Sequence, residues 1–272
     1  MQLQLSLAYL TTEQSPPQAV QTAARSGFHY VGIRLLPAAP GGAAYPLMSD
    51  PRMLRETMAC KADTGVRIAD LEMIRLDEGF DIERYLRFME VGALLEAKAI
   101  LVAGDDRDAS RLTANFARLC ETAAGFGLTA DLEFMPWTGV PDLTTARRVV
   151  EAANQPNGGV LVDALHFARS GSTFEQLAQV PRQYLHYAQI CDGPAAAPAT
   201  TEGLIHAARC ERLLPGDGGL PLVELWAKLP PDLPVSVEIP NHAGRERLGP
   251  DGWARQAWHS SLLHLVDQAI GI

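Results

Sequence analysis

The stretch that decides the fold is residues 158–166, GGVLVDALH. Its first five residues are apolar or glycine and are typical of a buried strand. Asp163 and His166 follow, so that a carboxylate and an imidazole stand three residues apart. A buried carboxylate without a partner is costly. We therefore expect a cation, a metal ion or several hydrogen-bond donors beside Asp163.

Apolar runs of this kind recur along the whole chain and alternate with segments whose apolar residues have helical spacing. The predicted strands are 3–10, 30–36, 66–74, 97–104, 128–135, 159–165, 184–191 and 233–240. The predicted helices are 18–26, 51–64, 82–96, 110–126, 144–153 and 253–270. This alternation indicates parallel strands with right-handed crossovers. No GxGxxG follows the first strand, which argues against an open dinucleotide-binding sheet. The sequence thus predicts a single (β/α)8 TIM barrel over residues 1–272.

Composition narrows the class of protein. Of the 272 residues, 47% are hydrophobic and 20% are charged, which is typical of a globular domain. The net charge of −9 is the wrong sign for binding nucleic acid through its phosphates. No apolar run is long enough to cross a membrane, the N-terminus is interpreted as a strand rather than a signal peptide, and the four cysteines form no CxxC motif. We expect a cytoplasmic protein with a small-molecule substrate.

Four oxygen-bearing side chains finish the last four predicted strands: Glu133, Asp163, Gln189 and Glu238. In a TIM barrel these strand ends open onto one face, where catalytic residues lie. Three carboxylates close together repel one another unless a cation stabilises them. An all-oxygen set favours a hard ion. The sequence therefore predicts one divalent metal ion, Mn²⁺ or Mg²⁺, with cobalt or zinc as alternatives.

The chain resembles the sugar phosphate isomerase/epimerase superfamily of xylose-isomerase-like TIM barrels. The resemblance is carried by LEFMPW, VDALHFARSG, YAQICDGP, RLLPGDGGLPL and VSVEIP. It implies that Glu133, Asp163 and Glu238 hold a metal and that Gln189 takes the place where most members have histidine. It also implies a homo-oligomer, a dimer or tetramer, by analogy. Some 3-dehydroshikimate dehydratases of the superfamily resemble this sequence in having glutamine at that place.

Further candidates lie around this set. His166 could donate to a substrate oxygen or act as an acid, a reading strengthened by similarity to the family's D-x-x-H. Arg212, in the irregular stretch 193–215, suits a bidentate contact to an anion, with Arg209 as a competitor. Glu72 and Arg75, at the end of the third strand, are candidate substrate contacts. His186 is expected to pack outward against the helices. In addition, Asp217 is expected to cap a helix that begins near residue 220.

These parts suit proton abstraction beside a carbonyl, with Glu133 and Glu238 as base and acid and His166 nearby. We expect an isomerase or epimerase that acts on a small sugar, sugar phosphate or related polyhydroxy carbonyl compound through an enediolate. A dehydratase of the 3-dehydroshikimate dehydratase type would use the same enolate and stays an alternative. A non-catalytic metabolite-binding barrel is a second alternative. An endonuclease-like repair enzyme is disfavoured by the acidic net charge and by only seven histidines.

Overall fold

A computed structural model describes residues 4–38 and 41–270, with side chains placed as far as residue 265. Eight parallel strands close into a barrel in chain order, as the alternating pattern predicts. The strands are β1 (Leu5–Leu7), β2 (Tyr30–Arg34), β3 (Arg67–Leu76), β4 (Ala99–Gly104), β5 (Thr129–Glu133), β6 (Gly158–Asp163), β7 (Ala188–Ile190) and β8 (Val235–Val237). The fold is a single (β/α)8 TIM barrel. Leu3, where the first strand was predicted to begin, lies outside the described residues.

Helices surround the barrel, and most follow the predicted segments. They are α1 (Tyr9–Thr12), α2 (Pro16–Ser26), α3 (Pro51–Thr64), α4 (Leu86–Leu94), α5 (Ala109–Ala124), α6 (Leu143–Ala153), α7 (Ala164–Arg169), α8 (Phe174–Leu177), α9 (Thr201–Cys210), α10 (Leu222–Lys228) and α11 (His242–Ile270). Short 3-10 turns cover Ile82–Tyr85 and Arg182–Tyr184. No described helix combines the length and apolar character needed to cross a membrane.

Local sequence explains where several helices begin and end. Asp50, Asp108 and Asp142 each precede a helix and accept hydrogen bonds from backbone N–H groups of its first turn. Such caps satisfy donors that have no partner inside the helix. Gly249, at φ 68°, and the following Pro250 divide α11 into two helical parts, since proline cannot continue the backbone hydrogen-bond pattern. The helix boundaries are therefore set largely by local chemistry.

Alternation along the strands separates the core from the site. On β6, Val160 and Val162 face outward and pack in the main hydrophobic core between barrel and helices. Residues in between face the barrel interior, among them Leu161. Asp163 is the next inward position and ends the strand. The same period places Glu133 at the end of β5 and Gln189 directly opposite Asp163 in register. Parallel strands thus deliver these polar side chains to one rim.

The segment between β7 and β8 departs from the prediction of an irregular stretch at 193–215. It contains α9, which Thr200 caps through its side chain. The predicted cap at Asp217 is wrong, because α10 begins at Leu222 and Pro221 precedes it without a side-chain cap. Asp192 organises this segment instead. Its carboxylate accepts hydrogen bonds from the backbone N–H groups of Gly193, Gly216, Gly218 and Leu220.

His186 closes the N-terminal end of the barrel. Its Nδ1 lies 2.7 Å from Oδ1 of Asp131, an inward residue of β5. A Cβ atom on Gly159 would collide with both side chains, so glycine makes room for the pair. The prediction that His186 packs outward against the helices is therefore wrong. Burial acts to lower the pKa of His186, but the hydrogen bond and charge of Asp131 outweigh it and raise that pKa.

This pair predicts a pH-dependent contribution to stability. Because the folded state holds the proton more tightly, the contribution is complete below the ordinary histidine pKa of about 6.5 and is lost as pH rises through the raised value. We expect His186→Gln to lower the free energy of unfolding by about 1 kcal/mol or more at pH 6 and by less at pH 9. Urea denaturation of both proteins across this range measures the difference. A difference that is constant with pH would contradict the assignment.

Candidate metal centre and active site

A cavity of about 440 Å³ opens at the C-terminal mouth of the barrel. Its wall includes Glu133, His166, Arg212 and Glu238. Trp137, in the segment after β5, closes one side. Four of the residues that the sequence singled out therefore meet in one concave site. A cavity of this size suits a small ligand.

Glu133, Asp163 and Glu238 form a compact carboxylate cluster beneath the cavity. One oxygen from each lies within 4.8 Å of the others. All three side chains are buried, with Asp163 fully so. Glu133 ends β5, Asp163 ends β6, and Glu238 directly follows β8. The structure thus brings together the three carboxylates that the sequence predicted as metal ligands.

Gln189 lies between them on β7. Its Cα is paired in register with Asp163 on one side and with Ser236 on the other. The side chain is fully buried, and neither Oε1 nor Nε2 has a hydrogen-bond partner among the described residues. An amide left without a partner is costly in a protein interior. The orphaned amide oxygen is therefore available as a fourth ligand beside the carboxylates.

Arg212 supplies a cation that the sequence prediction did not place here. Its Nη1 lies 2.5 Å from Oδ2 of Asp163, and its Nη2 lies 3.0 Å from Oε2 of Glu238. Its Nε donates to the carbonyl of Ala208 at 2.8 Å. The guanidinium is almost completely buried. Three carboxylates and one guanidinium leave a formal charge of −2, which a divalent ion would neutralise.

The acid–base properties of the cluster follow from burial and mutual repulsion. Burial, together with the charges of Glu238 and Asp163, raises the pKa of Glu133 well above its usual range. Burial likewise raises the pKa of Glu238 to about 8, with Arg212 opposing the shift. For Asp163, burial is outweighed by Arg212 and by His166, and its pKa is lowered. A divalent cation would favour the ionised form of all three groups. The donor set fits such an ion.

His166 lies on α7, the first helix after β6. Its backbone N–H donates to Oδ1 of Asp163 at 2.9 Å, so this aspartate also caps the helix. Its Nε2 lies 3.7 Å from Oε1 of Glu133, and Trp137 meets the ring edge-on with the centroids 5.2 Å apart. Burial lowers the pKa of His166 to about 4. The imidazole is therefore neutral near pH 7 and able to donate one hydrogen bond.

Glu72 and Arg75 both line the cavity, as was expected for residues near the end of the predicted third strand. Glu72 is buried, and its Oε2 lies 2.5 Å from Nη2 of Arg34. The Arg34 guanidinium stacks over the ring of Tyr9, 4.3 Å from its centroid. Arg75 donates to Asp105 at 2.6 Å and to the carbonyl of Ala38 at 2.6 Å. Both predicted substrate contacts are therefore held by partners of their own.

Arg209, the competitor of Arg212, lines the outer part of the same cavity. Burial and the neighbouring charges of Arg75 and Arg34 lower its pKa. No hydrogen bond or ion pair joins the Arg209 side chain to another of the described residues. An anion placed among these guanidinium groups would relieve their repulsion. The mouth of the site therefore combines an acidic floor with a basic rim.

A (β/α)8 barrel with a carboxylate cluster at its C-terminal mouth defines a class of proteins, and the comparisons with known proteins agree with it. The family model described as xylose isomerase-like TIM barrel matches residues 20–261. The chain belongs to this family, which confirms the resemblance seen in the sequence.

A 3-dehydroshikimate dehydratase of Pseudomonas aeruginosa is 26% identical over 259 residues, which cover 89% of this chain and 39% of that protein. The chain thus spans well under half the length of this curated relative. Among solved structures, IOLI protein with a bound zinc atom has a TM-score of 0.81 at 18% identity, and the match covers 99% of this chain and 100% of that one. D-allulose 3-epimerase from Methylomonas sp. has a TM-score of 0.68 at 17% identity, and the match covers 96% of this chain and 98% of that one. At these identities the structures show the shared fold.

The carboxylate cluster predicts a specific response to divalent ions. We expect Mn²⁺ or Mg²⁺ to raise the melting temperature of the EDTA-treated chain, because the ion binds the folded state and relieves carboxylate repulsion. Asp163→Asn should abolish the rise. Asp106→Asn is the matched control, since Asp106 is a buried carboxylate paired with Arg111 outside the site. Differential scanning fluorimetry measures all three. A rise of equal size in Asp163→Asn would contradict the site.

Proposed function

We propose that the chain is a metal-dependent enzyme that removes a proton beside a carbonyl group of a small, anionic polyhydroxy compound. The observation that carries this proposal is the carboxylate cluster, whose oxygens lie within 4.8 Å at the mouth of the barrel. Membership of a family whose relatives include a dehydratase and an epimerase supports an enzymatic role. The cluster serves both kinds of reaction, since both begin with the same proton removal.

Glu133, Asp163, Gln189 and Glu238 would hold the ion. When bound, a divalent ion supplies Lewis acidity that favours the enediolate formed after proton loss. Mn²⁺ and Mg²⁺ suit the all-oxygen ligands. Arg212 acts here as a positioning residue, because its guanidinium fixes Asp163 and Glu238 from behind. Its predicted role in substrate binding stays a prediction.

Proton transfer falls to the two glutamates that line the cavity, Glu133 and Glu238. One accepts the proton from carbon, and the other returns a proton to carbon or to a departing oxygen. His166 lies beside Glu133 and donates a hydrogen bond from its neutral ring to a substrate oxygen. This assignment keeps His166 in the catalytic set, as the hydrogen-bond donor rather than as the source of the proton.

The basic rim supports an anionic substrate. Arg209 and Arg75 both line the cavity, and Arg209 has no ion-pair partner among the described side chains. A guanidinium suits a carboxylate or phosphate. Together with the 26% identity to a 3-dehydroshikimate dehydratase, this favours a dehydratase that acts on a carboxylated polyhydroxy ketone. There the base takes a proton from carbon, and the adjacent hydroxyl leaves with a proton as water.

An isomerase or epimerase, the expectation from the sequence, is the second candidate. It would return the proton to carbon without loss of water, and a phosphorylated sugar would satisfy the basic rim equally well. The likeness to D-allulose 3-epimerase is one of fold.

The predicted homo-oligomer and cytoplasmic location stay predictions. Light scattering of the purified chain would test the oligomeric state.

Incubation in D₂O with Mn²⁺ or Mg²⁺ separates these reactions. The substrate panel should contain ketoses, their phosphates and 3-dehydroshikimate. Loss of water with a new ultraviolet absorbance indicates dehydration, whereas deuterium at carbon without loss of water indicates isomerisation or epimerisation. We expect Glu238→Gln to reduce either signal by about 10²-fold or more, because a group that moves the proton is lost. Glu90→Gln, an exposed change on α4, is the control.

Unchanged turnover in Glu238→Gln would overturn the site assignment. Binding of a panel member to the wild-type chain with neither deuterium uptake nor water loss would instead favour the non-catalytic binder. Metal analysis of each variant is needed alongside, because Glu238 is also a proposed ligand. It separates loss of the ion from loss of proton transfer.

The basic rim gives a further prediction about substrate charge. We expect Arg209→Met to raise KM for the anionic substrate by about tenfold with little change in kcat, because a charge-assisted hydrogen bond far from the reacting carbon is lost. Arg118→Met, at an exposed arginine of α5, is the matched control. Steady-state kinetics measure both. An equal rise in KM with an uncharged substrate would argue against an anion contact.

A further inference from the structure

Below the carboxylate cluster, part of the barrel interior is polar. Its inward side chains are Ser6 of β1, Asp70 of β3, Tyr187 just before β7 and Ser236 of β8, and each is more than nine-tenths buried. Tyr187 also packs in the apolar cluster that contains Leu101, Ala103, Met135 and Leu161. The four polar residues come from the contiguous run of strands β7, β8, β1, β2 and β3, whereas the inward Asp131 lies on β5 and is paired with His186.

Asp70 reaches across β2 to join this side. A Cβ atom on Gly32 would lie 2.8 Å from both of its carboxylate oxygens, so the carboxylate rests over the bare backbone of β2. The neighbouring strand in that direction is β1, whose inward residue is Ser6. Ser6 is the direct register partner of Ser236. On its other side Ser236 is paired with Gln189, and Tyr187 lies two residues before Gln189.

The polar atoms of this group have no protein partners. Among the described residues, neither oxygen of Asp70 and none of the hydroxyls of Ser6, Tyr187 and Ser236 has a hydrogen-bond partner. Buried polar atoms nearly always have one. Five oxygens from four side chains are therefore buried inside the barrel with their bonding capacity unused, and the charge of Asp70 acts on the Tyr187 hydroxyl.

The charged groups nearest to Asp70 all have the same sign. Its charged neighbours are Glu72, Glu238 and Asp131, which are all carboxyl groups. Arg34 is engaged with Glu72 instead. Burial and these neighbours raise the pKa of Asp70. An ionised carboxylate at this place is stable only with a cation beside it.

We propose that Ser6, Asp70, Tyr187 and Ser236 bind a monovalent metal cation inside the barrel. Oxygen donors of this kind suit a hard ion. A single carboxylate among neutral hydroxyls balances one positive charge, which is why a monovalent ion fits better than a divalent one. The ion would neutralise the charge of Asp70 beneath Glu72 and Glu238. It would also link β1 and β3 to β7 and β8 across the β1–β8 pair that closes the barrel. Na⁺ and K⁺ share this chemistry, and the experiment separates them.

Thermal unfolding of the full chain tests the proposal without substrate or turnover, so its failure is distinct from failure of the proposed function. Tetramethylammonium chloride is replaced stepwise by NaCl or by KCl at constant ionic strength, once with EDTA and once with saturating Mg²⁺. We expect the melting temperature to rise by about 2–4 °C and to saturate with one of the two ions. The ion that gives the rise is the preferred ligand.

Variants locate the site. Asp70→Asn should remove the response, and Ser236→Ala should shift its midpoint to several-fold higher salt. Asp106→Asn, the control at a distant buried carboxylate, should keep the full response at a lower melting temperature. If Asp70→Asn does not fold, Tyr187→Phe takes its place, with a similar loss of affinity expected. Crystals soaked in Tl⁺ should show an anomalous peak in contact with the Asp70 carboxylate.

A melting temperature that is the same in all three salts would overturn the proposal, as would an unchanged response in both Asp70→Asn and Ser236→Ala. A third contrary result concerns pH. It is a wild-type melting temperature that does not respond to the cation but falls with rising pH, while that of Asp70→Asn does not fall. A proton would then neutralise Asp70, and no metal cation would be needed.

Discussion

Three carboxylates, Glu133, Asp163 and Glu238, are buried with oxygens within 4.8 Å of one another, and their repulsion is the constraint that the mouth of this barrel must satisfy. Arg212 offsets part of this repulsion because its guanidinium contacts Asp163 and Glu238. A divalent ion held by these carboxylates would balance the remaining formal charge of −2. Burial, together with this repulsion, raises the pKa of Glu133 and Glu238, and a bound divalent ion would oppose the shift.

The loop after β7 is built to hold Arg212 in this position. Asp192 gathers four backbone N–H groups of the loop, and its own backbone is bridged to Leu213. The backbone N–H of Arg212 donates to the carbonyl of Pro240, and Asn241 donates to the carbonyl of Arg212. These two contacts fix the backbone of Arg212, and Asp163 and Glu238 hold its guanidinium. A long loop of a TIM barrel can thus serve as a rigid support for a buried charge.

Much of the fold was predictable because it depends on periodicity. The alternation of apolar strands with amphipathic helices gave eight βα units, and parallel strands made it possible to anticipate that Glu133, Asp163, Gln189 and Glu238 meet at one rim. The loop 193–215 was less predictable, since α9 and the Asp192 contacts depend on partners distant in sequence. His186 was misplaced for a related reason. Its side-chain direction is set by Gly159 and Asp131, two residues on other strands.

The sequence by itself determined the barrel and the candidate carboxylate ligands, because these follow from residue type and spacing along single strands, and its motifs carried the resemblance to the family. Only the tertiary structure decided which charges meet. It brought Arg212 to Asp163 and Glu238, paired Glu72 with Arg34, and left Arg209 facing the cavity without an ion-pair partner among the described residues. It also buried Asp70 and three hydroxyl side chains inside the barrel without hydrogen-bond partners among the described residues. These contacts join strands far apart in the chain, where Coulomb energy and burial depend on distances in space that spacing in sequence does not encode.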